Sequence, residues 1–112
     1  MKAKVYISGP YSQGDVAVNV RNAFKAANSL ADLGFAPLVP HTTHFWHLIF
    51  PRPYKFWIDL DKEFIPCCDA LLRLIGHSRG ADKEVDLAIK LGVPVFYTID
   101  DLVYYYEGRD SE

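Results

Sequence analysis

Apolar positions along the chain alternate in short runs and recur at helical spacing in longer ones. In residues 3–8, Val5 and Ile7 alternate with Lys4 and Tyr6, and Gly9-Pro10 ends the run, which predicts a strand closed by a turn. Over about 15–33, Val20, Phe24, Ala27 and Ala31 recur at helical spacing, Asp15 suits the first turn and Gly34 the position just past the end. Residues 35–39 predict a short buried strand bounded by Pro40. A second helix is expected over about 54–65, with Trp57, Leu60 and Phe64 on one face and Pro66 at its end. The nearly continuous apolar run 69–75 predicts a central strand of a parallel sheet. A helix over about 80–91, with Val85, Ala88 and Ile89 inward, stops at Gly92; a strand over 93–98 and a short helix over 100–106 close the chain. Residues 40–53 hold three His and three Pro among bulky apolar groups, too irregular for a turn, and are expected to form a functional or lid-like loop.

Strands alternating with helices imply an α/β fold: a flavodoxin-like, doubly wound parallel sheet of four to five strands with helices on both faces. Such sheets bind ligands at the carboxyl ends of their strands. Those ends are Gly9-Pro10-Tyr11, the segment after Pro40, the turn 76–80 and the region after Thr98. The length of 112 residues suits one domain over 1–112, and a 50% apolar content excludes disorder. A net charge of −2 argues against a partner that is a nucleic-acid polymer or a membrane surface. The two cysteines, Cys67 and Cys68, are adjacent, which rules out a disulfide framework and suits a reducing compartment. Both are expected to pack as small apolar groups. With no run approaching the roughly 20 apolar residues of a membrane span and no signal-like start, the expected location is the cytoplasm.

Four features carry candidate chemistry. Ser78-x-Gly80 followed by Glu84 places a turn at a helix start with a carboxylate one turn in, which suits either an anion or sugar contact beside a catalytic acid or a plainly capped helix. On the helix before the central strand, Asp61 falls at the edge of the apolar stripe and Asp59 toward solvent; Asp69 is expected to bond nearby backbone. Tyr6 sits in a strand suited to Val or Ile, and its phenol needs a partner if buried, while Gly9 permits close backbone approach to a ligand. The series His41, His44, His47 lacks the Glu of a zinc-protease helix, so a metal site is disfavoured both against one His, taken as His44, lining a substrate pocket with Trp57 and against loop histidines satisfied by nearby partners.

Together these pieces resemble the nucleoside 2-deoxyribosyltransferase superfamily, including its 2′-deoxynucleoside 5′-phosphate N-hydrolase branch. The resemblance runs from Tyr6-Ile-Ser-Gly9 through Asn19, Gly34-Phe-Ala-Pro37, Asp61 eight residues before Asp69, and Ser78-x-Gly80-x-x-x-Glu84 to Gly92-x-Pro94-Val95. It implies a nucleophile at Glu84, a general-acid-side carboxyl at Asp61, and a hydrogen bond from Tyr6 to the nucleophile. It also implies substrate contacts at Gly9, Ser78 and Gly80, with Ser78 matching the nucleotide-using branch. Asp82 stands where that branch usually has a second Gly, and Ser12 where it often has an Arg.

The implied reaction is cleavage or transfer of the N-glycosidic bond of deoxyribonucleosides or their monophosphates, with no cofactor required. Homo-oligomers are implied too, with Phe45, Trp46, Phe50, Trp57 and the tail 104–106 as contact surface unless they merely close the core. The alternative is a non-catalytic nucleotide-binding or interaction domain on the same fold. A phosphoacceptor domain would want acids after the first strand, and a dinucleotide oxidoreductase would want G-x-G-x-x-G there; Gly9-Pro10-Tyr11-Ser12 offers neither.

Overall fold

The computed structural model describes residues 2–110; Met1 and residues 111–112 of the expected domain lie outside them. The elements are β1 (Lys4–Ser8), α1 (Val16–Asp32), β2 (Ala36–Leu38), α2 (Thr43–Ile49), α3 (Tyr54–Phe64), β3 (Ala70–Arg73), α4 (Arg79–Leu91), β4 (Val95–Phe96) and α5 (Ile99–Asp110). Single 3-10 turns at Pro40–Thr42 and Ile65–Cys67 lead into α2 and β3. The four strands are all parallel in the order β2-β1-β3-β4, with Ser8 opposite Arg73 at the carboxyl ends of the central pair. This is the flavodoxin-like arrangement expected from the alternating elements.

Period-two alternation sends β1 side chains to opposite faces. Val5 and Ile7 pack with Ala70 and Leu72 against α1 and α5, where Ala23, Ala26, Ala27, Leu30 and Leu102 complete an apolar layer. Tyr6 and Leu71 face the other way, onto Val85 and Ala88 of α4 and onto Ile65 and Cys68. α1 begins at Asp15, whose side chain accepts from the Val18 N–H, and α4 begins at Ser78, whose hydroxyl accepts from Ala81 N–H at 3.1 Å. Gly92 closes α4 in the left-handed conformation, φ 75°.

Several expected details differ. The inward stripe of α1 is built of small residues; Phe24 is 42% exposed and Ala31 also faces solvent. Alanines let the helix lie close on the sheet, so the bulky positions are turned outward. Ile89, expected inward on α4, is 63% exposed, and Phe64 of α3 is exposed as well. The segment expected as a loop contains the 3-10 turn and α2. No residue of α2 is buried, so it lacks the one-sided apolar period that would reveal it. Cys68 is buried as expected, whereas Cys67 is exposed. In the closing helix Tyr106 packs edge-on against Phe35, and Tyr104 is 80% exposed. Among the described residues no helix is long and apolar enough to cross a membrane.

Candidate active site

A cleft opens at the carboxyl ends of β1 and β3, between α3 and α4. Its walls come from the first loop (Gly9, Tyr11, Ser12, Gln13), the segment after β2 (Pro40, His41, Thr43, His47), α3 (Tyr54, Trp57, Ile58, Asp61) and the start of α4 (Ser78, Gly80, Ala81, Glu84). The α3 set has spacings of three, one and three, a single helix face.

Glu84 is only 7% exposed, yet both its oxygens are engaged. Tyr6 Oη donates to Oε2 at 2.5 Å and Ser8 Oγ to Oε1 at 2.8 Å. Two donors aimed at two oxygens are the arrangement an ionised carboxylate wants. Burial pushes the Glu84 carboxyl up from its ordinary value; the Tyr6 and Ser8 hydrogen bonds and the charge of Arg73 pull it back. Burial and the neighbouring acids Glu84 and Asp61 push the Tyr6 phenol far upward, so it stays a donor.

Asp61 is a different acid. Burial, and then the negative charge of Glu84, raise its carboxyl to about 7. Both acids are thus raised, but Glu84 carries hydrogen bonds and a nearby positive charge that oppose the rise, while burial and the charge of Glu84 both push Asp61 upward. Asp59, two residues away, points to solvent and pairs with Lys55 at 2.6 Å. Asp69 accepts from the Lys4 backbone N–H at 2.8 Å.

Of the residues singled out from sequence, Glu84, Asp61, Gly9, Ser78, Gly80 and Trp57 all line this cleft, and Tyr6 stands behind Glu84. Gly80 permits the close approach of α4 to α3, since a Cβ there would lie 2.8 Å from Tyr54 Oη. Ser78 uses its oxygen as the α4 cap. Asp82 points away from the cleft and pairs with Arg73 at 3.0 Å. His44 is placed differently from expectation: it is not a wall residue but shares a hydrogen bond with Tyr11 Oη through Nδ1 at 2.6 Å, behind the wall.

His41 and His47 line the cleft instead. Nε2–H of His41 donates to the Pro10 carbonyl at 3.0 Å; its Nδ1 is buried without a partner, and burial lowers the imidazole below the ordinary histidine range. His47 Nδ1 accepts from Trp57 Nε1 at 3.0 Å, so in the neutral ring the proton sits on Nε2. The three rings thus serve three separate partners, and the described residues contain no group of three or more His, Cys, Asp or Glu placed to hold a metal ion. Ser8, which the sequence offers only as part of the run from Tyr6 to Gly9, is the second donor to Glu84; its parity with Tyr6 on β1 is the signal that places it on the Glu84 face.

Fold and site define the class: a flavodoxin-like α/β protein with two unlike acids facing one cleft at the strand ends. The chain belongs to the family described as a domain of unknown function (DUF4406), which matches residues 3–97. Among solved structures it is similar to a 2-deoxyribosyltransferase from the psychrotolerant bacterium Bacillus psychrosaccharolyticus, characterised as a biocatalyst for nucleoside synthesis. The identity is 24%, the match covers 83% of this chain and 69% of that one, and the TM-score is 0.63. The likeness shows that this chain has the fold implied by its sequence resemblance. No curated protein matches the chain.

Proposed function

We propose that the protein cleaves or transfers the N-glycosidic bond of 2′-deoxyribonucleosides or their 5′-monophosphates. The observation that carries this reading is the convergence of Glu84 and Asp61 on one cleft, with Glu84 held by Tyr6 and Ser8 and Asp61 raised to about 7. The similarity to a deoxyribosyltransferase supports the substrate class.

In the first step a Glu84 oxygen attacks the anomeric carbon as the C–N bond breaks. The bonding pair leaves on the base nitrogen, which takes the Asp61 proton. The product is a glycosyl ester on Glu84 and a free base, the retaining logic of paired carboxylates. Asp61, now ionised, then removes a proton from water or from a second base, and that nucleophile displaces Glu84. Water gives hydrolysis and a second base gives transfer. Tyr6 and Ser8 hold the attacking carboxylate at one rotamer and are positioning residues.

The homo-oligomer belongs to the same reading. Phe45, Leu48, Ile49 and Phe50 form an exposed apolar face beside the cleft, suited to a second copy and testable by light scattering. The decisive experiment incubates the protein with the deoxyribonucleosides and their 5′-monophosphates, with and without an acceptor base, and reads free base by chromatography. Release by wild type and none by Glu84→Ala is expected; equal release by both overturns the mechanism.

A further inference from the structure

We infer, given the reaction proposed above, that the site selects substrates with a free 5′-hydroxyl over 5′-monophosphates, and that Gln13 makes the selection. α4 brings Ser78, Gly80 and Ala81 of its start to the cleft wall, and the unpaired N–H groups of a helix start are a natural anion cradle. Here two of the cradle's N–H groups, those of Arg79 and Ala81, are taken by the chain itself. Gln13 Oε1 accepts from Arg79 N–H at 2.8 Å, and Ser78 Oγ accepts from Ala81 N–H at 3.1 Å.

The Gln13 hydrogen bond is built in. Asn19 Nδ2 donates to the Tyr11 carbonyl at 2.9 Å and to the Gln13 carbonyl at 2.8 Å, pinning the backbone on both sides of Ser12. The α1 helix therefore fixes the loop that carries the plug. With its oxygen committed, Gln13 retains its amide N–H groups, which suit a neutral hydroxyl oxygen.

Charge points the same way. None of the residues lining the cleft is Lys or Arg, while Asp61 and Glu84 are both there. Arg73, the buried guanidinium near Glu84, is committed to the carbonyls of Leu74 and Gly76 and to Asp82. Arg79 and Lys83 are exposed and outside the cleft wall. A phosphate brings a charge of about −1.5 to −2 and needs charge-assisted donors to offset its desolvation. A neutral hydroxyl has no such requirement.

The test measures kcat/KM for each deoxyribonucleoside against its own 5′-monophosphate, for wild type, Gln13→Ala, Gln13→Glu and Arg79→Ala. Wild type is expected to favour the nucleoside by about tenfold or more, the scale of a single charge-assisted hydrogen bond. Gln13→Ala frees the Arg79 N–H and narrows the preference several-fold. Gln13→Glu keeps the hydrogen bond, adds a negative charge and widens the preference. Arg79→Ala leaves it in place.

Wild type using the monophosphate as well as the nucleoside overturns the inference. So does an unchanged preference in both Gln13 variants, or a monophosphate activity that depends on Arg79. Calorimetric titration of the same ligands into wild type separates the two proposals. If no base is released but the nucleoside still binds tighter than its monophosphate, the reaction falls and the selection stands. If no ligand binds, both fall.

Discussion

On β1, Val5 and Ile7 face one side of the sheet and Tyr6 and Ser8 the other, and the second side sets polar groups into its apolar packing. Under α1 and α5 a buried apolar cluster runs from Val5 and Ile7 to Leu30 and Leu102. Under α4 the same strand presents two hydroxyls, β3 presents the buried guanidinium of Arg73, and α4 returns a buried carboxylate. The apolar side gains free energy through area removed from water. The α4 side bears the desolvation of a charge, offset in part by two short hydrogen bonds. Apolar packing on both sides holds the fold together, and it allows the α4 side to keep an acid that folding alone would not select.

Removing that acid breaks the comparison most severely. Glu84→Ala is expected to lower base release on the order of 10⁴-fold or more, as loss of a nucleophile does. Glu84→Gln should be equally inactive yet at least as stable as wild type in a thermal melt, because it replaces a buried charge with a neutral isostere. A Glu84→Gln protein that is markedly less stable would place Glu84 among the structural residues.

Parts of this division were legible in the chain. Alternation along β1 marked the faces, and a phenol amid aliphatic residues identified the polar one. The α4 carboxylate followed from the Ser78-x-Gly80 turn and the family resemblance. Side-chain size misled on α1, where the close-packed stripe is Ala23, Ala26 and Ala27 and the larger Phe24 looks outward. Nor does sequence spacing say which ring of a histidine series reaches a cleft. His41 and His47 do so because Pro10, Trp57 and the α2 turn orient them, all through tertiary contacts.

Asp61 gives the next effect. Its proton is the one the leaving base takes, so activity should fall as pH rises through about 7. Asp61→Asn should remove that limb and cost on the order of 10²–10⁴-fold at the optimum. Stability carries the same signature with a fixed sign. The folded carboxyl holds its proton at pH values where the unfolded one has lost it, so Asp61 lowers stability as pH rises from about 4 to about 7. Denaturant melts across that window should show Asp61→Asn flattening the decline; a steeper decline would reverse the assignment.

Adjacent residues on β1 sharpen the contrast. Ile7→Ala should cost about 2–5 kcal/mol of stability by opening a cavity on the apolar side, while kcat measured below the melting transition stays near wild type. Tyr6→Phe should lower the rate as well as stability. It removes a hydrogen bond to a charged group, worth about 1.5–3 kcal/mol of stability, and frees the Glu84 carboxylate from its attacking position, at a cost of about 10–100-fold in rate. Without that donor the Glu84 carboxyl rises further, and the acid limb of the pH profile moves upward. A purely structural Tyr6 would leave that limb where it was.

The smallest effect is expected two residues from one of the largest. Asp59 shares α3 with Asp61 but lies on the outer face, where Lys55 one turn earlier holds its carboxyl below the ordinary value. Exposed pairs of this kind are screened by solvent and contribute little to folding. Asp59→Asn should therefore leave activity, its pH profile and the thermal midpoint within measurement error. The comparison with Asp61→Asn is controlled for helix, side-chain chemistry and the size of the charge change; only the face differs. A loss of activity in Asp59→Asn that matched Asp61→Asn would mean that the net charge of α3 matters rather than the placement of one carboxyl in the cleft, and the separate roles of the two acids would fail with it.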